Sequence, residues 1–528
     1  MALSDKAASE ATSTDVQLQL VRALQHPACY NHPVEQIQHL ETHISHLLLT
    51  GPYAYKIKKP INLGFLDFST LAKRHFYCQE EVRLNQRLAP SDYLAVVTIN
   101  GSPEQPRIEG QGPVLDYAVK MRQFDSASTL DRLDDRSQLT VHHVDAIADA
   151  LADFHAGAKI APADSNWGTA QAVWAPVEQN FTQLAPRIEG EEAKSLLQML
   201  HQWSEMEQGR LLSEFGFRRS HGYVRECHGD LHLGNMAWRG GELLVFDCIE
   251  FNPDLRWIDV MSEVAFCYMD LLQRGHREYT TRFLNRYLEH TGDYEGIALL
   301  RFYAVYRAMV RAKVAYIRAH QPGLEVAEAG AEKQAGLAYL RLAHELTRIH
   351  QVRLIITHGL SGSGKTTFTN ELLTKLGAIR LRSDVERKRL AGLDALSHTG
   401  AGVEEGIYSR DFSRRTYGHL AFLAERLLNA GWTVLVDATF IARWQRKLLH
   451  DVAGACRVPF HILAFSAPDE ELRQRVQGRS AAGTDASEAD LAVLEQQLKK
   501  QEPLTDEETR SVVAATSVEE VLAKFFRK

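Results

Sequence analysis

Residues 359–366 read Gly-Leu-Ser-Gly-Ser-Gly-Lys-Thr, an ungapped G-x-x-x-x-G-K-[ST] run between the apolar stretch Val352 to Thr357 and helical sequence. The glycines let the chain reverse between a strand and a helix, with backbone N–H groups turned inward around an anion and the positive helix end behind them. The spacing therefore predicts a strand–loop–helix unit that holds phosphate. Gly359, Ser361, Gly362, Ser363, Gly364 and Lys365 would surround the phosphate oxygens, with Thr366 on Mg²⁺ and Thr367 beside it. Strand-like runs continue to alternate with helical sequence at Ala378 to Leu381, Thr433 to Asp437, Phe460 to Phe465 and Ser511 to Ala515. Such alternation predicts a parallel sheet covered by helices on both faces.

A chain of 528 residues is too long for one ordinary core and suggests two or three domains. From about Gln17 to Ile99, short strand-like runs flank a helical stretch at Leu71 to Leu88. From Val141 to Leu346 the pattern is mostly helical, interrupted by loop and strand sequence at His228 to Asp259. The expected organisation is a disordered polar leader at 1–15, a bilobal α+β domain at 16–345 and an α/β phosphate-loop domain at 351–528. With no Gly/Ser-rich linker between them, the two domains are expected to be held together. Sixty basic against 67 acidic side chains exclude the globally basic signature of a duplex-coating protein. The six cysteines form no C-x-x-C pair, which argues against a zinc site and fits a reducing compartment. No apolar run of about 18 residues is present to span a bilayer, so a cytoplasmic protein is expected.

A second constellation lies at His228-Gly229-Asp230-Leu231-His232-Leu233-Gly234-Asn235, which has the form H-x-D-x-x-x-x-N. Asp247 follows at the end of the apolar strand Leu243 to Phe246. Phosphoryl transfer needs such a set: one carboxylate beside an acceptor hydroxyl, then an Asn and an Asp converging on Mg²⁺ at a triphosphate. Here the chain resembles the aminoglycoside phosphotransferase family of the protein-kinase-like fold. The resemblance implies that Asp230 is the base, that Asn235 and Asp247 are metal ligands, and that His228 braces the loop. In Ala54-Tyr55-Lys56-Ile57-Lys58, strand alternation puts Lys56 and Lys58 on one face, so either could hold the α and β phosphates; Ala-x-Lys spacing favours Lys56. The helix partner is Glu80 or Glu81, with Glu81 favoured. Tyr117 to Phe124 looks like the strand and hinge that meet adenine, through the backbone from Met121 to Gln123. Two departures stand out: no G-x-G-x-x-G precedes Lys56, and Asp247 continues as Cys-Ile-Glu in place of Phe-Gly. Asp254, Asp259 and Glu263 are candidate carboxylates of an acceptor pocket, with a bracing role for Asp259 equally open.

In the C-terminal part, Thr433 to Val436 leads into Asp437, a position suited to Mg²⁺, but Ala438 stands where a motor ATPase usually places a water-activating Glu. Transfer to a bound acceptor is favoured over hydrolysis. The second strand ends in Arg382-Ser383-Asp384-Val385-Glu386-Arg387. Asp384 at this sheet edge can accept a proton from an attacking hydroxyl, and Arg387 can hold an anion on the acceptor. This part resembles the P-loop kinases of the polynucleotide kinase, zeta toxin and gluconate kinase group, in which an Asp after the second strand is the general base. A helix-capping role for Asp384 can coexist with that one. Arg473, Arg475 and Arg479 stand in an expected helix from about Asp469, where a lid would carry Arg475 and Arg479 to the phosphoryl group. Gln501 to Leu504 is similar to gluconate-kinase-like proteins and hints at a polyol or sugar acid. Arg380, Arg382, Arg387, Lys388 and Arg389 would equally line a groove for an RNA or DNA end. The sequence thus points to an ATP- and Mg²⁺-dependent phosphotransferase with two sites acting on hydroxyl acceptors. The alternative is a nucleotide-sensing regulatory ATPase in which one kinase-like domain does not turn over.

Overall fold

The computed structural model describes residues 15–62, 64, 66–321, 323–395, 397, 406–482 and 490–526. The expected leader lies outside them except for Asp15. The backbone separates into two compact units. One holds the chain up to Ala146 with residues 153–173 and 215–267, and the other holds residues 147–152, 174–214 and 268 onward. The fold is mixed, an antiparallel α+β part followed by a parallel α/β part.

The first unit carries a six-stranded sheet ordered β1-β2-β3-β6-β4-β5. Its strands are β1 (Gln38–Glu41), β2 (Ser45–Leu49), β3 (Tyr53–Lys58), β4 (Tyr93–Ser102), β5 (Gln105–Ile108) and β6 (Val114–Arg122). Alternation along β3 sends Tyr55 and Ile57 into one apolar cluster with Leu48, Val97 and Ile99. Lys56 and Lys58 face the other way, toward helix α1 (Leu71–Asn85). Thr70 starts that helix by accepting from Lys73 N–H at 3.3 Å. Its buried stripe, Arg74, Cys78, Glu81 and Asn85, has helical spacing but is mostly polar. Such a face needs charged partners across the sheet, and β3 supplies two. Further along, the ribbon β7 (Val224–Glu226) with β10 (Trp257–Asp259) and the hairpin β8 (Met236–Arg239) with β9 (Glu242–Val245) frame the His228 loop. Helix α2 (Val260–Gln273) follows β10.

In the second unit a parallel sheet is ordered β12-β13-β11-β14-β15, with β11 (Leu354–His358), β12 (Ile379–Arg382), β13 (Val434–Asp437), β14 (Phe460–Ala464) and β15 (Val512–Ala514). The bounds differ from the expected ones by one or two residues. Strands β1 and β5 were not expected: β1 is polar and largely exposed, and β5 is only four residues long and carries Pro106 at one of its two buried positions, so neither gives a strand signal in the sequence. Helix α3 (Arg277–Thr291) lies against edge strand β12. Asn285 donates to the Ala378 carbonyl (2.9 Å) and accepts from Arg380 N–H (2.7 Å), taking the place of a neighbouring strand.

Candidate functional site

The first unit gathers its charged residues around the end of β9. Asn235 O accepts from Phe246 N–H (3.0 Å), and His228 Nε2 lies 2.8 Å from the Phe246 carbonyl, so the two motifs are tied at adjacent residues. Asn235 Nδ2 donates to the Asp230 carbonyl (2.9 Å) and to its carboxylate (3.2 Å). That leaves Oδ1, a hard oxygen suited to Mg²⁺, as the remaining polar atom of the amide. Asp247 sits in the left-handed region (φ 67°), which Asp tolerates better than most residues, and its side chain is 47% exposed. Its N–H donates to Tyr93 Oη, and the next N–H, of Cys248, donates to Asn85 Oδ1 on α1.

Both lysine alternatives meet the same glutamate. Lys56 Nζ lies 2.8 Å from Glu81 Oε1 and 2.6 Å from Asp247, and Lys58 lies 2.5 Å from Glu81 Oε2 and pairs with Glu250. Glu80 turns away to Arg83 and Arg256. Lys58 is fully buried, whereas Lys56 is partly exposed and reaches Asp247. Burial opposes the Glu81 charge, yet the two ammoniums hold its carboxyl at about 2. Burial pushes Glu250 up. Lys58 is thus a buried counter-ion behind Glu81, and Lys56 is the more exposed of the two and the one that reaches Asp247. The pair Lys58–Glu250 also fastens the residue three beyond Asp247 to the same cluster.

The backbone of the loop from His228 hangs on a carboxylate. Glu263 in α2 accepts from His228 N–H (2.8 Å) and Gly229 N–H (2.7 Å) and lies 3.1 Å from His155 Nε2. Gly229 has φ 94°, and a Cβ there would meet the Leu255 carbonyl at 2.8 Å, so only glycine fits. Glu263 and Asp259 therefore do not line an acceptor pocket: Asp259 pairs with buried Arg218 at 2.6 Å, and Asp254 accepts from Trp167 Nε1 (2.9 Å). Gln123 is engaged too, its N–H donating to the Pro52 carbonyl (3.2 Å) and its Oε1 accepting from Gly51 N–H (2.9 Å). It fastens the β2–β3 turn. Met121 pairs with Ala54 on one side and Tyr93 on the other.

In the second unit the Gly359–Thr366 loop follows β11 and opens helix α4 (Lys365–Leu376), with Gly362 and Gly364 left-handed at φ 83° and 87°. Lys365 curls back on the carbonyls of Gly359 (2.9 Å) and Leu360 (2.8 Å). Thr366 Oγ1 lies 3.2 Å from Asp437, a hydroxyl and a carboxylate side by side as Mg²⁺ requires. Ser363 Oγ is buried without a hydrogen-bond partner, an orphan that a phosphate oxygen would satisfy. The residues present fit a Mg²⁺-nucleotide in both units. Thr367 is exposed on α4. Arg475, on helix α6 (Asp469–Ala482), reaches the Gly362 carbonyl at 3.3 Å, while Arg473 is paired with Glu495. The Arg479 side chain lies outside the described residues.

Helix α5 (Ser383–Leu390) is capped by Arg382, so Asp384 belongs to the first turn and is not the capping residue. Among the described residues no hydrogen bond or ion pair holds its carboxylate. Arg387 is 7% exposed, donates to the Ile407 carbonyl (2.7 Å), lies over Tyr408 and keeps a buried Nε without a partner. Sequence reasoning did not single out Gln497, whose Oε1 accepts from Ser361 N–H (2.9 Å) on the phosphate loop. A glutamine in an amphipathic helix gives no such signal. Gln501 to Leu504 packs against the helix after β13, where Arg446 donates to the Glu502 (3.3 Å) and Pro503 (3.2 Å) carbonyls.

Residues 77–303 match the phosphotransferase enzyme family, and residues 354–504 match the AAA domain family. The chain is a kinase. A protein of Mycobacterium tuberculosis, described as uncharacterized, is 28% identical over 470 residues, which is 88% of this chain and 91% of that protein. Two solved structures resemble separate parts of this kinase. Amicoumacin kinase hAmiN, solved with AMP-PNP, Ca²⁺ and Ami, is 13% identical and covers 64% of this chain and 94% of its own, with a TM-score of 0.40. Chaetomium thermophilum Kti12, solved with ADP-AlF₃, is 17% identical and covers 33% of this chain and 97% of its own, with a TM-score of 0.26. Among the described residues no helix is long and apolar enough to cross a membrane.

Proposed function

We propose that the chain is a cytoplasmic bifunctional phosphotransferase with two active sites, an aminoglycoside-phosphotransferase-like one within 16–345 and a P-loop one within 351–528. Each moves the terminal phosphoryl group of ATP to a hydroxyl acceptor. What supports this reading is that each site keeps a lysine, two residues with metal-suited oxygens and a further carboxylate. In the first these are Lys56, Asn235 with Asp247, and Asp230; in the second, Lys365, Thr366 with Asp437, and Asp384. ATP supplies the phosphoryl group and Mg²⁺ neutralises the charge on it. Asp230 and Asp384 take the acceptor proton, and His228 holds the first loop in shape.

The acceptor of the second site is read as a small anionic molecule. Arg380 is held by Glu289 (2.6 Å), Lys388 is fully buried on the Ala395 carbonyl, and Arg389 pairs with Glu386. A groove for an RNA or DNA end would need those cations facing outward. Arg387 keeps a free donor and serves as the acceptor anchor. The two groups should then fail differently. Asp384→Asn should lower kcat with little change in acceptor KM, and Arg387→Ala should chiefly raise the KM for an anionic acceptor, as steady-state kinetics will show. An Asp384→Asn protein that transfers at the unmutated rate would contradict the assignment.

A further inference from the structure

A cavity of about 440 Å³ lies in the second unit, at the end of the parallel sheet opposite the phosphate loop. Its floor is formed where β11, β12 and β13 begin, at Arg353, Ala378 and Thr433, and its roof by helices that include Tyr268 and Arg301. Loop 359–366 leaves the other end of β11, so this space belongs to neither site described above.

Its lining carries more positive than negative side chains. Among the described residues five cationic side chains line it, Arg277, Arg301, Arg348, Arg353 and Lys375, against one carboxylate, Glu345. Glu345 is shared between Arg348 (3.6 Å) and His350 (3.3 Å), and Lys375 is taken by Glu371 and Glu519, each at 3.0 Å. Arg277, Arg301 and Arg353 have no carboxylate within ion-pair distance among the described residues. Arg353, 3% exposed, donates to the Phe525 carbonyl (2.7 Å) and Gln351 (3.2 Å). Arg301 reaches the Gly431 carbonyl at 3.4 Å and lies 5.6 Å over the Trp432 ring. Trp432 Nε1 is buried with no acceptor. Arg353 is buried, Arg301 half-buried and Arg277 exposed; guanidiniums without a carboxylate and an orphaned buried N–H all gain from a ligand that supplies negative oxygen.

We propose that this cavity binds a phosphate-bearing small molecule, separately from both phosphoryl-transfer sites. Phosphate oxygens are acceptors only, match the guanidinium fork and would satisfy the indole N–H. The indole in the wall also reports on occupancy.

The test is a fluorescence titration of the full chain carrying Lys365→Ala, which weakens phosphate binding at the loop, with inorganic pyrophosphate and ADP as probes. The expected result is a saturable change that is absent from the Trp432→Phe variant and weakened about tenfold to a hundredfold by Arg301→Gln. Arg277→Glu, at an exposed position, should weaken it as well and guards against a folding defect in the Arg301 variant. Tighter binding of ADP than of pyrophosphate would assign part of the affinity to the nucleoside, and the reverse would assign it to the phosphates alone. No saturable Trp432-dependent change with either probe, or one indifferent to both arginine substitutions, would overturn the proposal.

Discussion

Asp230→Asn should lower phosphoryl transfer by the first site roughly 10²–10⁴-fold, the usual contribution of a positioned base, while nucleotide affinity stays nearly unchanged. The substitution keeps the shape of the side chain, and Asn235 can still donate to the Asp230 main-chain carbonyl at 2.9 Å, so the loop should persist. Asp247→Asn should behave oppositely. Its carboxylate is 47% exposed and lies 2.6 Å from Lys56, where a metal and phosphates would gather, so its loss should appear as weaker Mg²⁺-nucleotide binding. Calorimetry for binding and turnover for chemistry separate the two. Equal loss of nucleotide affinity in both variants would show the roles to be wrongly divided.

Glu263→Gln should cost the first unit roughly 3–5 kcal/mol, the penalty for removing one partner from a buried charged network. The carboxylate holds two backbone N–H groups of the loop and lies 3.1 Å from His155, and an amide can serve them only in part. Burial opposes its charge, but His155 and the loop N–H groups outweigh burial and hold the carboxyl at about 2, below its ordinary 4.5. A depressed carboxyl stabilises the fold fully above its unfolded value and progressively less as pH falls through the folded one. The stability difference between the unmutated chain and Glu263→Gln should therefore be largest above about pH 4.5 and shrink toward about pH 2. Urea unfolding at several pH values, with signals from the first unit, measures it. A difference that does not change with pH would assign the role of Glu263 to shape alone.

The parallel sheet was legible because each of its strands is a short apolar run bounded by helical sequence, and the octet at Gly359 fixed the first crossover. The His228 to Asn235 spacing and the apolar strand before Asp247 located the other loop equally well. What the sequence left open depended on partners far along the chain. Lys56 and Lys58 share a strand face, and only packing shows that one Glu81 serves both, with Glu250, 192 residues from Lys58, completing the cluster. Glu263 read as a pocket carboxylate, whereas its place in a largely apolar first stretch of α2 was the available sign of a buried anchor. Gln123 sat correctly at the end of a strand, but its N–H is occupied by a turn that only the sheet order brings alongside. The basic run from Arg380 to Arg389 looked like one groove because local sequence does not reveal that Glu289, on a helix from the preceding half, neutralises part of it.

The central claim is that two sites transfer phosphate independently, and the most direct measurement is a label-transfer experiment. The full chain is incubated with γ-labelled ATP, Mg²⁺ and a fractionated metabolite mixture, and products are identified by mass for the unmutated chain, Asp230→Asn, Asp384→Asn and the double variant. The account predicts two labelled products, one lost with each single substitution and both lost in the double. A single product removed by either substitution, or label transfer that survives in the double variant, would contradict it.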